Sequence, residues 1–319
     1  MPKVFIFGVN GFVGGYLADE FASHGYEVAG TDRGETSRYP AVSHYTPGDL
    51  SDAVGVSAMI EAASPDVIVN LAAISSVGQS WSIPAVTFQV NVVGTINILE
   101  AVRAHCPKAK VLLIGSSEEY AVSTEPLSEE SPVVANNPYG ASKAAQGNVA
   151  EMYADRFGLK VYRTRSFNHI GAGQAPNFVV ASWCKQAAEI SESGRPGTMR
   201  VGNTSVSRDF SDVRDVVRAY RLLVESDYAG EVFNVGAGQS YPLSSILETI
   251  TGFSDQPITV EVDPALLRPA DNPVICSDCT KAERLLGWKP EYSIEQSLRV
   301  VFDSFCTQHS AHSAQSRSR

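Results

Sequence analysis

The N-terminal residues join a strand to a helix through a glycine-rich turn, and this order restricts the chain to few folds. Residues 3–7 form a short apolar run typical of a buried strand, and a helical stretch begins at Tyr16. The glycines between them have the spacing G-x2-G-x2-G, slightly different from the common G-x-G-x2-G. Free N–H groups at a helix start favour phosphate. We therefore predict a dinucleotide-binding turn, with cofactor contacts from Gly8, Gly11, Phe12, Val13 and Gly14.

Strands and helices alternate along the first half of the chain. Apolar strands are predicted at 27–30, 66–70 and 110–115, and helices over about 84–105 and 139–157 flank the last of them. This alternation favours the α/β class, with a doubly wound parallel Rossmann sheet. Shorter strands and turns downstream predict a smaller, interleaved C-terminal substrate domain. The expected division is 1–166 plus about 205–236 for the Rossmann domain, 167–204 and 237–306 for the substrate domain, and 307–319 for a disordered tail.

The amino-acid composition of the chain limits which functions and locations are expected for it. A net charge of −10 argues against a nucleic-acid binder, since such domains are usually basic. The five cysteines are scattered and odd in number, and without a signal peptide they favour a cytoplasmic location. The pair Cys276-x2-Cys279 has no second pair beside it, so no metal site is expected. We also expect no apolar run long enough to span a bilayer.

A carboxylate and a cation follow the second predicted strand. Asp32 lies about 20 residues after the glycine turn, where a carboxylate accepts hydrogen bonds from the ribose hydroxyls of NAD. The adjacent Arg33 suits the 2′-phosphate of NADP instead. Because a carboxylate repels that phosphate, the pair slightly favours NAD(H) over NADP(H).

A tyrosine and a lysine stand four residues apart at the start of a predicted helix. Tyr139 and Lys143 therefore share one helical face. A phenol titrates near ~10, and a neighbouring ammonium favours its ionised form, which brings it toward acid–base work. A hydroxyl from Ser116 or Ser117 completes a proton-transfer site. The spacing alone also fits a surface tyrosine beside a solvated lysine, so the surrounding motifs carry the weight.

Taken in order, the motifs resemble the extended short-chain dehydrogenase/reductase family. The likeness spans roughly residues 3–305 and rests on Gly8-x2-Gly11-Phe12-Val13-Gly14, Leu71-Ala72-Ala73, Asn91, Ser116-Ser117 and Tyr139-x3-Lys143. Members of that family mostly act on nucleotide sugars with NAD(H) or NADP(H). The resemblance implies a homodimer joined through the two predicted helices. It also implies further cofactor contacts at Asp49, Leu50, Leu71, Ala72, Ala73, Asn91, Tyr139 and Lys143.

Downstream segments resemble one branch of that family, the GDP-4-keto-6-deoxy-D-mannose reductases. The likeness lies in RSFNHIGAGQ at 165–174, SRDFSDVRD at 207–215 and LGWKP at 286–290. It implies reduction of the C4 carbonyl to give GDP-D-rhamnose, with Tyr139 donating the proton, Lys143 lowering its pKa and Ser116 holding the reacting oxygen. The implied substrate contacts are Ser75, Ser76, Asn168, Phe178, Val179, Lys185, Arg208 and Arg268.

Several alternatives stay open. GDP-mannose 4,6-dehydratases, a sister family, place a glutamate at the position of Glu118 to take the C5 proton, so Glu118 is a candidate catalytic base. Against that activity, Ile170 stands where those dehydratases carry a second glutamate, and we favour the reductase. Arg208 beside Asp209 also fits an ion pair, and Lys185 fits a solvated helix face. A non-catalytic NAD(P)-binding scaffold is the second alternative.

Overall fold

The computed structural model describes residues 1–267 and 272–316. The strands in these residues are β1 (Lys3–Phe7), β2 (Glu27–Thr31), β3 (His44–Tyr45), β4 (Val67–Asn70), β5 (Lys110–Ser116), β6 (Lys160–Ser166), β7 (Asn168–Ile170), β8 (Gly197–Val201), β9 (Ser207–Asp212), β10 (Val232–Val235), β11 (Ser240–Pro242), β12 (Ile258–Val262) and β13 (Val274–Ile275). The helices are α1 (Phe12–Ser23), α2 (Ala53–Ala63), α3 (Val77–Ser82), α4 (Pro84–Phe88), α5 (Gly94–His105), α6 (Pro138–Phe157), α7 (Val179–Ser193), α8 (Val213–Glu225), α9 (Leu243–Thr251), α10 (Thr280–Leu286) and α11 (Ile294–Ser316). A π-helical stretch, Gln89–Val93, joins α4 to α5.

The main sheet has the strand order β10-β6-β5-β4-β1-β2-β3, and all of its pairings are parallel. The chain runs outward from β1 to β3 and then returns to β4 on the other side of β1. In sheets of this kind ligands bind outside the carboxyl ends of the strands, where the strand order reverses. The predicted α/β class with a doubly wound parallel sheet is confirmed.

Local sequence sets the start of α6 at this edge of the sheet. The Asn137 side chain accepts a hydrogen bond from the Gly140 N–H at 2.9 Å, and Pro138 occupies the first helical position. Both features are typical of a helix N-terminus. The helix ends at Gly158, which adopts a φ of 68°. Tyr139 and Lys143 are thereby placed in the first turns of α6.

The remaining strands form two smaller sheets. β9 pairs with β7, β11 and β13, whereas β8 pairs with β12. A second apolar core lies against α7, α9 and α11 and includes Trp183, Met199 and Leu298. This interleaved unit stands over the carboxyl edge of the main sheet.

Two predicted domain limits are wrong. β9 belongs to the smaller sheets, so the chain returns to the Rossmann unit with α8 and not at about residue 205. Conversely, Ala282 on α10 and Trp288 pack in the core of the main sheet, although both fall inside the predicted substrate segment 237–306. Apolar residues signal burial, but they do not show which of two cores they join.

The expected tail is also corrected. α11 continues to Ser316, so residues 307–316 are helical and not disordered; residues 317–319 lie outside the described residues. This segment contains no Pro or Gly, and adding turns to an existing helix avoids the cost of a new nucleus.

Among residues 1–267 and 272–316, one helical run is long and apolar enough to span a membrane by length and composition, contrary to the expectation. It is Pro84–His105, with a mean hydropathy of 1.4. Its side chains Ile98, Leu99 and Val102 are fully buried in the core between the main sheet and α2. A core helix of an α/β protein has the same composition.

Candidate active site

A cleft of about 1040 Å³ opens at the carboxyl edge of the main sheet, beneath the smaller strands. Most of the predicted site residues line it. These are Gly8, Gly11, Phe12, Val13, Gly14, Asp32, Arg33, Asp49, Leu50, Leu71, Ala72, Ala73, Ser75, Ser76, Ser116, Ser117, Glu118, Tyr139, Lys143, Asn168, Phe178, Val179 and Arg208. The topology therefore gathers side chains that are far apart along the chain.

The glycine turn leaves no room for side chains. A Cβ atom added at Gly14 would lie 2.2 Å from the Val9 carbonyl oxygen. Gly8 has a φ of +80°, and a Cβ there would lie 2.8 Å from the Ala72 nitrogen. α1 begins directly after this turn, with its first N–H groups toward the cleft wall. These residues fit the pyrophosphate of a dinucleotide, which needs close backbone approach and free N–H groups.

The end of β2 carries the residues that face the adenosine half of such a cofactor. One Asp32 oxygen accepts from the Asn10 N–H at 3.2 Å and the other from the Arg33 N–H at 2.7 Å. Arg33 and Arg38 also line this part of the cleft. Arg38 was missed in the sequence, because only the folded loop after β2 brings it beside Asp32. A carboxylate for ribose hydroxyls and two guanidinium groups for a phosphate therefore stand together.

Tyr139, Lys143 and Ser116 meet where β5 ends and α6 begins. The Lys143 ammonium donates to the Ile114 carbonyl at 2.8 Å and to the Gln146 side chain at 3.1 Å. The Ser116 hydroxyl lies beside the Tyr139 phenol and lowers its pKa. All three side chains line the cleft, which makes them available to a bound ligand.

The expected effect of Lys143 on Tyr139 is not found. Burial raises the pKa of Tyr139 to about 12, and the nearby carboxylates Glu118 and Glu119 raise it further while Ser116 opposes them. Burial lowers the pKa of Lys143 to about 8. At neutral pH the site therefore holds a protonated phenol beside a mostly protonated ammonium, an arrangement suited to giving up a proton.

Glu118 faces the cleft from the turn that follows β5. Its Oε2 accepts a hydrogen bond from the Asn137 side chain at 2.8 Å, so the residue that caps α6 also orients this carboxylate. Both ends of that bond lie next to Tyr139. The position suits a base for a substrate proton as well as a hydrogen-bond acceptor for a sugar hydroxyl.

Three predicted contacts are not placed in the cleft. Asn91 is fully buried and does not line it; its amide holds Ile74 and Ser142 instead, so the predicted direct cofactor contact is wrong. Lys185 is exposed on α7 and pairs with Glu189, in keeping with the solvated-face alternative. Arg268 lies outside the described residues.

The smaller sheets supply the opposite wall of the cleft. Asn168 donates from its side chain to the Asp209 carbonyl at 3.3 Å, and Arg208 donates to the Asn272 carbonyl at 2.7 Å. Residues that sequence reasoning missed also line this wall, namely His169, Trp183, Arg200, Asn203 and Leu266. They come from separate strands and loops and share no local motif, so their common position depends on the tertiary fold.

The cysteines form no metal-binding group. The Cys279 sulfur contacts the Ser277 hydroxyl and the Gly236 carbonyl. Within residues 1–267 and 272–316, no cluster of three His, Cys, Asp or Glu side chains is placed to hold a metal ion. The CxxC spacing is here part of a buried hydrogen-bond arrangement.

The chain is similar to known nucleotide-sugar enzymes along nearly its whole length. A family profile described as GDP-mannose 4,6 dehydratase matches residues 5–301. The chain is 32% identical to the GDP-6-deoxy-D-mannose reductase of Pseudomonas aeruginosa, over 95% of this chain and 97% of the relative. It is 29% identical to GDP-mannose 4,6 dehydratase 1 of Arabidopsis thaliana, over 93% and 87%. The solved structure of RMD from Pseudomonas aeruginosa complexed with NADPH superimposes with a TM-score of 0.85 at 30% identity, covering 97% of this chain and all of that one.

Proposed function

Given that this chain belongs to the GDP-mannose 4,6-dehydratase family, we propose that it is an NAD(P)H-dependent nucleotide-sugar 4-ketoreductase that reduces GDP-4-keto-6-deoxy-D-mannose to GDP-D-rhamnose. The observation that carries this proposal is the placement of Tyr139, Ser116 and Lys143 together on the wall of the cleft that the glycine turn also lines. Support for the substrate comes from the reductase relative, which matches nearly the full length of both chains.

In this mechanism the protein holds the ketone and supplies a proton. Bound NAD(P)H supplies the hydride that goes to the keto carbon. The Ser116 hydroxyl donates a hydrogen bond to the keto oxygen, and Tyr139 gives its proton to that oxygen as the alkoxide develops. The ammonium of Lys143, which lines the same cleft, holds the nicotinamide ribose. The carbonyl thus gains one hydride and one proton.

The sugar-nucleotide phosphates require cationic groups on the opposite wall. Arg208 and Arg200 both line the cleft there, and guanidinium groups suit bidentate contact with phosphate oxygens. Phe178 and Trp183 provide apolar surface for the base. Asn168 lines the cleft on the same wall, where its amide suits a sugar hydroxyl.

The test is an assay of the purified protein with the product of a GDP-mannose dehydratase, followed by the absorbance of reduced nicotinamide. Oxidation of NADH or NADPH that depends on the keto sugar, with GDP-D-rhamnose as product, supports the proposal. Conversion of GDP-mannose without net nicotinamide oxidation contradicts it and identifies a 4,6-dehydratase with Glu118 as base. Stabilisation by nucleotide without any turnover identifies the scaffold alternative.

The cofactor preference is a narrower proposal. Asp32 favours NADH, while Arg33 and Arg38 suit the 2′-phosphate of NADPH, so we propose that both are accepted with NADH slightly preferred. Turnover with each cofactor at equal low concentration tests this. A strong preference for NADPH contradicts the role given to Asp32.

We also propose a cytoplasmic homodimer. Large apolar side chains of α3, α4 and α6 are exposed together, among them Trp81, Val86, Phe88 and Met152, and a second copy of the chain would cover them. The five cysteines are scattered and odd in number, which suits a reducing compartment. Light scattering decides the oligomeric state, and a monomer mass contradicts the dimer.

A further inference from the structure

A single turn of 3₁₀ helix, Ser117–Glu119, follows β5. Ser116 precedes this turn as its cap, and the turn itself contains the carboxylates of Glu118 and Glu119. Glu119 closes this turn, because its Oε1 accepts a hydrogen bond from the Ser116 N–H at 2.7 Å. In return the Ser116 hydroxyl accepts one from the Glu118 N–H at 3.2 Å. This is the reciprocal pattern of a capping box. The Glu119 side chain therefore holds the backbone from which Ser116 reaches the cleft.

The Glu119 carboxylate is buried and hydrogen-bonded on both oxygens. It is 4% exposed, and a Cβ atom added at Gly115 would lie 2.4 Å from its Oε1. Its Oε2 accepts from Arg165 Nε at 3.1 Å, across the pairing of β5 with β6. Arg165 also donates to the Tyr120 hydroxyl at 3.1 Å. Burial raises the pKa of the Glu119 carboxyl, while the hydrogen bonds from the Ser116 N–H and Arg165 oppose that effect and favour the ionised form.

The same carboxylate acts on Lys143. The Lys143 ammonium is buried and donates to two neutral acceptors, the Ile114 carbonyl and the Gln146 side chain. Burial lowers the pKa of Lys143, and the negative charge of Glu119 opposes that effect. The titratable or charged groups on the elements around Lys143 are Glu118 and Glu119 on the 3₁₀ turn, Arg165 on β6, Tyr139 on α6 and Tyr220 on α8.

We propose that Glu119 is a positioning residue, whose buried carboxylate holds the Ser116 turn and supplies a negative charge to the Lys143 ammonium. Arg165 pairs with its second oxygen and favours the ionised carboxylate against the effect of burial. Glu119 does not line the cleft, so it acts through Ser116 and Lys143 and not on the substrate. This role rests on the proposed function of the site, but its physical content is measurable without turnover.

The decisive variant is Glu119→Gln. Its carbonyl oxygen can still accept from the Ser116 N–H, so the turn is retained while the charge is lost. Lys143 is followed by NMR of its side chain in the cofactor-free protein, with the resonance assigned through Lys143→Arg. We expect the pKa of Lys143 to fall by about one unit, which is a tenfold smaller protonated fraction above that pKa. The basic limb of kcat/KM moves to lower pH by the same amount.

A matched control is Glu151→Gln. Glu151 lies on α6, the helix that carries Lys143, but away from Lys143. Like Glu119, it pairs with an arginine of β6, in this case Arg163 at 2.6 Å. The Glu151→Gln variant should leave the pKa of Lys143 and the pH profile of kcat/KM unchanged. If Glu119→Gln fails to fold because Arg165 is left unpaired, the double variant Glu119→Gln with Arg165→Gln removes both charges. Its Lys143 pKa should also fall, but by less, because the loss of the Arg165 charge acts in the opposite sense.

An unchanged Lys143 pKa in either folded variant overturns the proposal and leaves Glu119 a purely structural residue. If Lys143 shifts as expected while the wild-type protein does not reduce the keto sugar, the proposed function fails and the role of Glu119 stands.

Discussion

The phenol of Tyr139 is the group whose chemistry the site is built around. The Tyr-x3-Lys spacing predicted its partnership with Lys143 and with a serine at the end of β5, and those three side chains line one cleft. The direction of its pKa shift was predicted wrongly, because burial and the carboxylates of Glu118 and Glu119 raise the pKa of this phenol. Helical spacing reports which residues share a face, whereas a pKa depends on everything packed around that face.

Replacing Tyr139 by Phe removes the proton donor and leaves the ring. We expect the rate of keto-sugar reduction to fall by roughly 10²–10⁴-fold, the usual contribution of a general acid, with thermal stability kept. Tyr153→Phe is the control, since Tyr153 lies on the same helix and donates to Glu100 at 2.7 Å, outside the cleft. Near wild-type turnover by Tyr139→Phe would remove Tyr139 from this role.

Lys143 sets the pH range of activity. Its pKa is lowered to about 8, so the ammonium is present below that pH and is lost as the pH rises through it. With Lys143 protonated in the active form, kcat/KM, which reports the free enzyme, should be level near pH 7 and fall about tenfold per unit above pH 8. A profile that stays level to pH 10, above the pKa of Lys143, would contradict this requirement.

At the scale of elements, strongly patterned segments were predicted well. β5 and α6 differ from their predicted bounds by one residue at one end. The wrong predictions concern features that the local sequence does not specify. These are the helical continuation of α11, the partner strands of β9, and the π-helical stretch that contains the buried Asn91. Strand identity is encoded by alternation, but strand partners are not.

The buried amide of Asn91 joins the loop that follows β4 to helix α6. It accepts from the Ile74 N–H at 2.8 Å and donates to the Ile74 carbonyl at 3.1 Å and the Ser142 hydroxyl at 2.9 Å. Asn91→Ala leaves these groups unpaired, each at a cost of about 1–3 kcal/mol. We expect a lower midpoint of urea unfolding together with reduced activity. Loss of cofactor affinity at unchanged stability would instead restore Asn91 as a direct contact.

At the scale of the whole molecule, the C-terminal helix is tied to the strand that enters the Rossmann unit. The Ser297 hydroxyl of α11 donates to Asp212 Oδ2 at 2.7 Å, and Arg214 donates to both Asp212 oxygens at 2.8 Å. Burial alone raises the pKa of Asp212, but these hydrogen bonds hold it below its ordinary value. The contact therefore joins α11, which packs in the second core, to the start of α8, which packs in the core of the main sheet.

Ser297→Ala should lower the free energy of unfolding by about 1.5–3 kcal/mol at neutral pH, because it removes a buried hydrogen bond to a charged group. A lowered carboxyl pKa contributes stability above the unfolded value of about 3.9, and that contribution disappears as the pH falls. The difference from wild type should therefore shrink in acid. Ser304→Ala, on the same helix with its hydroxyl on the Val301 carbonyl, is the control and should change little. Equal effects of the two variants would contradict the tie.

The sequence alone determined the parallel α/β sheet, the glycine turn and the Tyr139–Lys143 pair, because each depends on short-range spacing: strand and helix periodicity, and the absence of Cβ atoms where backbone must approach. Only the tertiary structure decided the opposite wall of the cleft, the inward turn of Asn91 and the carboxylate of Glu119 under Gly115. Those features depend on which distant segments share a desolvated space, and burial energies and pKa values follow from that sharing.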